Sequence, residues 1–259
     1  MNKPVKNDGT VGKALEVLDA VAMYERPVRF SELLEQSPYP KATLYRFLQT
    51  LTNQKFLEYD QTAGTYSLGI RLMRLAHTAW KTASLAPIAR PHTEQLVAKV
   101  GETVHLAQLD NGQVLFIDKL RATDRFQTLA QVGQVAPAYC TGVGKAMLAF
   151  IAPKRLQIVL QQQSFYKFTP ATHTSVASLN QELECVRKDG IAFDREEHEQ
   201  GINSIATPIL SSSGRLIGAI SIATATNRFD CEALMQFKGS LLETAKKIGE
   251  DATSWQFPS

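Results

Sequence analysis

The stretch from Pro40 to Gln54 restricts this chain more than any other. Ser37-Pro38-Tyr39-Pro40, before it, cannot continue a helix, because each proline lacks an N–H and constrains its predecessor. Pro40 suits the first turn of a new helix over roughly residues 40–54. At about 100° per residue, Leu44, Phe47, Leu48 and Leu51 share one face. Ala42, Arg46 and Gln49 centre the opposite face, flanked by Thr43, Tyr45 and Thr50, with Lys41 at the N-terminal end. No Asp or Glu occurs from Lys41 to Lys55. An outward face of Arg, Gln, Thr and Tyr without acids suits phosphates and base edges, Arg favouring guanine and Gln adenine. A generic three-helix subdomain is the competing reading.

The flanking sequence completes a unit around this helix. Val11, Ala14, Leu15, Leu18, Val21 and Ala22 recur at helical spacing and predict a first helix with one buried stripe, ended by Pro27. Ser31 stands as an N-cap candidate for a short second helix. After the third come Phe56-Leu57-Glu58-Tyr59 and Tyr66-Ser67-Leu68 around Asp60-Gln61-Thr62-Ala63-Gly64-Thr65, two strands and a polar loop with the pattern of a hairpin. Three helices and a hairpin make a winged helix-turn-helix, whose third helix enters the major groove while the wing, near Thr62–Thr65, touches phosphate. Charge agrees: residues 1–90 carry 12 Lys/Arg against 8 Asp/Glu, the remainder 16 against 17.

Leu68 to about Ser84 is helical in period, with Ile70, Met73, Ala76 or His77, and Trp80 recurring at three or four. A helix bridging two domains has little core of its own, so Trp80 is expected at a dimer contact. Beyond it the pattern is mixed. Helices are predicted around 91–100, from Gly142 to Ile151, Pro153 to Gln161, Val176 to Lys188 and Cys231 to Glu250. Strands are predicted at Thr103–Leu109, Val114–Leu120, Phe126–Val132, Ile191–Asp194, Ser204–Leu210 and Leu216–Ala223. The whole is an α+β chain whose last 170 or so residues are large enough for a concave ligand site.

Chemistry-bearing motifs are few. Thr141-Gly142-Val143-Gly144-Lys145 lacks the residues of a phosphate loop, with Tyr139 where Gly is needed and Ala146 where Ser or Thr is needed. It retains a Gly-permissive helix start whose N–H groups favour a carboxylate, unless Thr141 simply caps the helix. The octet Asp194-Arg195-Glu196-Glu197-His198-Glu199-Gln200-Gly201 is a solvated loop, a source of one inward carboxylate, or, with Cys140, part of a metal set of Asp194 and His198. Three cysteines spaced 45 and 46 apart give no disulfide framework and no CxxC pair. No GxSxG elbow or local Ser/His/Asp signature supports an enzyme. The start lacks the apolar stretch of a secretory signal, so a cytoplasmic location is expected, with no membrane span and no cofactor.

Several segments resemble IclR-family transcription regulators. They are Pro40 to Leu51, Gly101-Glu102-Thr103-Val104-His105-Leu106, Tyr139 to Ala146, Gly190 to Glu197, Pro208 after Ile205-Ala206-Thr207, and Gly218-Ala219-Ile220-Ser221-Ile222. They run in order from about Gly12 onward. The recognition helix and the C-terminal Trp255-Gln256-Phe257-Pro258 resemble the KdgR branch, which senses 2-keto-3-deoxygluconate. The resemblance implies a winged helix-turn-helix domain over 1–68, a linker helix over 69–86 and a GAF-like effector domain with a mainly antiparallel sheet over 87–259. It further implies a homodimer or dimer of dimers, a double-stranded DNA operator and a small organic-acid effector, in a repressor of a catabolic operon. DNA contacts are expected from Lys41, Thr43, Tyr45, Arg46 and Gln49. Carried over by motif, the effector cavity is lined by Thr128, Ala136, Gly142, Val143, Asp194, Ile202, Ser204 and Ser221. Two departures bear on contacts. Ala42 replaces a phosphate-bonding serine, and Ala223 replaces a serine used for 2-oxo acids, which counts against a glyoxylate- or pyruvate-like effector; the effector expected is a sugar acid or keto sugar acid, with Arg125 as a substitute carboxylate partner. The alternatives are an aromatic-acid or metal-responsive regulator and, last, an enzyme of small-acid metabolism with an appended helical domain.

Overall fold

The computed structural model describes residues 9–122 and 128–252. The chain divides into two compact units, Met1–Thr82 and Ala83–Ser259. In the first, helices α1 (Gly9–Ala22), α2 (Phe30–Gln36) and α3 (Lys41–Asn53) pack around one small core. A sheet of β1 (Val28–Arg29), β2 (Leu57–Asp60) and β3 (Thr65–Leu68), in the order β1-β3-β2, closes it. The core consists of Val17, Leu18, Val21, Leu33, Leu44, Phe47, Leu48, Leu51, Leu57 and Tyr66, with Val28.

Three local expectations change. Val11 is 73% exposed and Leu15 49% exposed, and Val17 takes their place in the core; only the second half of α1 is covered by its neighbours. Ser31 is not a cap. Helix α2 begins two residues earlier, after an Arg29 N-cap whose N–H donates to Glu32 Oε2 at 2.9 Å, so the acid three residues on sets the boundary. Pro40 is the N-cap of α3 rather than part of its first turn, extended at ψ 149°, with its carbonyl accepting from Thr43 and Leu44. The next helix, α4 (Ile70–Ala83), has no buried residue, and Ile70, Met73 and Leu75 are exposed.

The second unit is a six-stranded, wholly antiparallel sheet in the order β6-β5-β4-β9-β8-β7. Its strands are β4 (Thr103–Asp110), β5 (Gln113–Leu120), β6 (Val135–Ala136), β7 (Ala192–Arg195), β8 (Ile202–Leu210) and β9 (Leu216–Ala225). Its helices are α5 (Ala86–Val100), α6 (Gly142–Phe150), α7 (Pro153–Gln162), α8 (Val176–Asp189), α9 (Cys231–Leu234) and α10 (Lys238–Asp251). Helix α5 starts five residues before the expected point. Pro87 fits its first turn and Pro91, inside the helix, does not stop it. The expected final helix is broken, because Met235–Phe237 tightens to a 3₁₀ turn between α9 and α10.

The strand expected over Phe126–Val132 is corrected. Phe126 and Gln127 lie outside the described residues, as does Arg125, and residues 128–132 form no strand. Their polar groups bond side chains instead of a neighbouring strand. Lys119 Nζ donates to Thr128 Oγ1 (2.9 Å) and Ala130 O (2.7 Å), Gln131 Nε2 to Thr128 O (2.9 Å), and Leu129 N to Glu199 Oε2 (2.8 Å). The strand beside β5 is the short β6.

Register divides the sheet's residues by size. Pairing places Thr103, His105 and Ala107 on one face with Ala219, Ser221, Ala223, Ser204, Ala206, Ala192 and Asp194. The opposite face carries Val104, Leu106, Ile205, Ile220 and Ile222. Alternating positions along a strand point to opposite faces, so this split follows directly from the sequence. Helix α6, buried at eight of its nine residues, lies on the small-residue face and is covered outside by α8.

Candidate functional site

On α3 the apolar residues Leu44, Phe47, Leu48 and Leu51 are buried, and Lys41, Tyr45, Arg46 and Gln49 are exposed, with Thr43 half-buried. The helix therefore offers its acid-free face to solvent. Tyr45 meets Phe30 edge-on, ring centroids 6.2 Å apart, which limits where its hydroxyl can reach. The wing tip is shaped by Asp60, whose Oδ1 accepts from Thr62 N (2.8 Å) and Ala63 N (3.1 Å).

Sequence reasoning missed a cleft of about 540 Å³ between the start of α3 and the wing, lined by Phe30, Lys41, Ala42, Tyr45, Tyr59 and Tyr66. Tyr59 and Tyr66 are cross-strand partners with rings 4.7 Å apart. The hairpin's pairing, once drawn from the sequence, would have shown them opposite each other.

In the second unit, Gly142, Asp194 and Ser204 come together. A Cβ added at Gly142 would lie 2.7 Å from Ser204 Oγ, 3.3 Å from Ala206 Cβ and 3.5 Å from Asp194 N. Ser204 is the register partner of both Asp194 and Ala223. Ser221 lies on the same face, opposite His105. His105 Nε2 is 3.1 Å from Thr128 Oγ1, which brings Thr128 to the far end of the row. Burial, with the Lys119 ammonium adding, pushes the His105 imidazole down to about 3, so it is neutral. Val143 and Ala136 are buried in the same core cluster, and Ile202 is half-buried two residues before Ser204. Thr141 is the N-cap residue of α6, but its hydroxyl donates to Pro137 O at 2.9 Å and makes no side-chain cap bond to the first turn.

Lys145 is no phosphate ligand. Its side chain is fully buried, its ammonium bonds Glu197 Oε1, and Glu182 Oε1 lies 3.5 Å away. Arg195 Nη1 donates to the same Glu182 oxygen at 3.0 Å, and His173 Nε2 stands 3.7 Å from Glu197 Oε2. Burial opposes the charge on Glu182, but Lys145 and Arg195 outweigh it and hold its carboxyl below the usual range. Burial lowers His173, against the pull of Glu197. Thr172 Oγ1 donates to Glu197 O and Thr169 Oγ1 to Glu196 O, each at 2.6 Å, so the octet's backbone is tied inward. Asp194 Oδ1 accepts from Glu197 N at 2.8 Å. Burial first and the Glu197 charge second raise the Asp194 carboxyl to about 7, against Lys145 and the backbone N–H groups of Glu197 and His198.

The metal set of Cys140, Asp194 and His198 is not assembled. Among the described residues no group of three or more His, Cys, Asp or Glu is placed to hold a metal ion. The His198 ring instead meets Phe168 edge-on at 5.2 Å, and burial with nearby Asp194 and Glu197 keeps the Cys140 thiol protonated. No helix among the described residues is long and apolar enough to cross a membrane.

Comparison with known proteins decides the family. The model of the bacterial transcriptional regulator IclR C-terminal domain matches residues 77–250, and that of the IclR helix-turn-helix domain matches residues 10–61. The chain belongs to the IclR family. It is a DNA-binding transcriptional regulator rather than an enzyme, in a family with many repressors. It is similar to the regulator KdgR of Escherichia coli K12, 29% identical over 258 residues that cover 100% of this chain and 98% of KdgR. Its fold is similar to that of the Thermotoga maritima IclR crystal structure, with a TM-score of 0.74, 28% identity and coverage of 94% and 98%. An IclR homolog from Microbacterium hydrocarbonoxydans, crystallised with 4-hydroxybenzoate, has the same fold at a TM-score of 0.80 and 24% identity, covering 95% and 100%. Within the IclR family, α1 to α3 thus lie in the helix-turn-helix domain and the second unit falls in the family's C-terminal, ligand-binding domain.

Proposed function

We propose that this regulator is a repressor of a catabolic operon whose operator affinity is set by a small carboxylic acid, of the sugar-acid or keto sugar-acid class. The observation that carries this reading is the meeting of the start of α6, at Gly142 and Val143, whose N-cap Thr141 makes no side-chain cap bond, with Asp194 and Ser204 on a sheet face rich in small side chains. Helix N-termini favour anions through their free N–H groups and dipole. Thr128, Ala136, Ile202 and Ser221 complete the lining. Ala223, beside Ser204, brings no hydroxyl there, which disfavours the smallest 2-oxo acids.

Lys41, Thr43, Tyr45, Arg46 and Gln49 contact the operator. The exposed Ile70 and Met73 on α4 supply a subunit contact, giving a dimer or dimer of dimers suited to two-fold operators. In domain terms, 1–68 binds DNA, 69–86 links, and 87–259 takes the effector. The ligand acts by favouring one spacing of the paired recognition helices.

A thermal-shift screen of sugar acids, keto sugar acids and aromatic acids tests this, since a ligand of the folded state raises the melting temperature. A keto sugar acid should stabilise the protein and release it from operator DNA in a gel shift. Preference for a benzoate, as bound by the Microbacterium protein, would replace the sugar-acid reading, and release by none of them would refute it.

A further inference from the structure

We infer that Asp194 meets the effector as a neutral carboxylic acid, donating its proton to an oxygen of the ligand's carboxylate or of an adjacent carbonyl. The inference rests on the effector reading above and adds the chemistry of one contact. An ionised carboxylate lining a site for an anion would repel the ligand, and the surroundings of Asp194 remove that conflict.

The charges around Asp194 come from every element packed on it. Helix α6 brings Lys145, the turn before it Cys140, and α8 Glu182. The segment before α8 brings His173, α9 brings Cys231, and its own strand and the following loop bring Arg195, Glu197 and His198. Three carboxylates, Asp194, Glu197 and Glu182, thus share two permanent cations. Lys145 is engaged by Glu197 and Glu182, and Arg195 by Glu182 and by the Phe193 ring at 4.8 Å. Burial keeps His173 and His198 from supplying a third cation, since it lowers both imidazoles. Among the described residues no cationic group forms an ion pair with Asp194. Asp194 is also buried, at 8% exposure, on the sheet face it shares with its register partner Ser204, and its backbone N lies near the first turn of α6. Desolvation and the negative Glu197 nearby, only partly offset by Lys145, both favour the protonated form. Burial and Glu197 together put its midpoint at about 7. A bound carboxylate adds one more negative charge and pulls the proton on more firmly.

Two measurements test this, and the first needs no ligand. Carboxyl-carbon NMR of the full chain, with the Asp194 signal assigned by its loss in Asp194→Asn, should show titration near pH 7. A midpoint below 5 overturns the inference. The second is calorimetric titration with 2-keto-3-deoxygluconate from pH 5.5 to 8.5. Affinity should fall by up to about tenfold per pH unit above the midpoint, and Asp194→Asn should lose that dependence. Wild-type affinity that is flat or rises with pH, as for an ionised acceptor of a ligand hydroxyl, overturns it, as does an unchanged slope in Asp194→Asn. If this acid binds at no pH, the sugar-acid reading fails, and the NMR midpoint still decides the state of Asp194.

Discussion

Lys145→Met removes a fully buried cation and leaves the shape of its aliphatic stem nearly filled. What stays behind is Glu197, 3% exposed, whose Oε2 already lacks a hydrogen-bond partner among the described residues. Breaking a buried pair from one side costs about 3–5 kcal/mol, because a charge is left without compensation. That is a large share of the roughly 5–15 kcal/mol that holds a domain folded. The surroundings predict how the cost varies with pH. Lys145 is one of the charges that depress His173, and Glu197 pulls the other way. With Lys145 gone, His173 can protonate at 3.7 Å from Glu197 and replace part of the lost charge. The variant should therefore lose less stability at pH 6 than at pH 8. Urea denaturation at both values measures this, and Lys145→Met with Glu197→Gln should recover at least half of the loss. A cost under about 1 kcal/mol at pH 8, or no recovery in the double variant, would refute the reasoning that this pair is a buried, mutually dependent unit.

Neighbouring glycines of α6 should respond differently. Gly144→Ala would place a methyl 2.5 Å from Ala138 Cα and against its carbonyl, so backbone must move, and a loss of about 1–3 kcal/mol or more is expected in thermal denaturation. Gly142→Ala meets the rotatable Ser204 hydroxyl instead and should fold, yet lose binding of the acid that stabilises the wild type. Met73→Glu on the exposed surface of α4 should shift the protein towards monomer in sedimentation velocity and leave its circular dichroism unchanged.

Helix α3 was legible because its information is local. Four leucine and phenylalanine positions at helical spacing fix which way Arg46 and Gln49 point, and no distant residue changes that. The start of α6 was legible for the same reason. The ion pair between Lys145 and Glu197 was not. The partners are 52 residues apart, and a run such as Arg195-Glu196-Glu197-His198 has the composition of a solvated loop. Only the pairing of β7 with β8, and Thr169 and Thr172 binding the loop's carbonyls, turn Glu197 inward. The segment 128–132 failed as a strand because β-propensity cannot reveal that Lys119 will claim the Thr128 hydroxyl and the Ala130 carbonyl. The break at Met235–Phe237 escaped notice because an apolar period near 3.6 does not distinguish an α-helix from one with a 3₁₀ turn inside it.

The account stands on α3 entering a duplex groove with Arg46 outward. Its most direct test is the affinity of Arg46→Ala for an operator fragment selected by the wild-type chain, read by fluorescence anisotropy at fixed salt. If Arg46 reads a base, the loss is about 1–3 kcal/mol, with relaxed preference at one base pair. A folded Arg46→Ala, Gln49→Ala double variant that binds the fragment as tightly and as selectively as the wild type would contradict it.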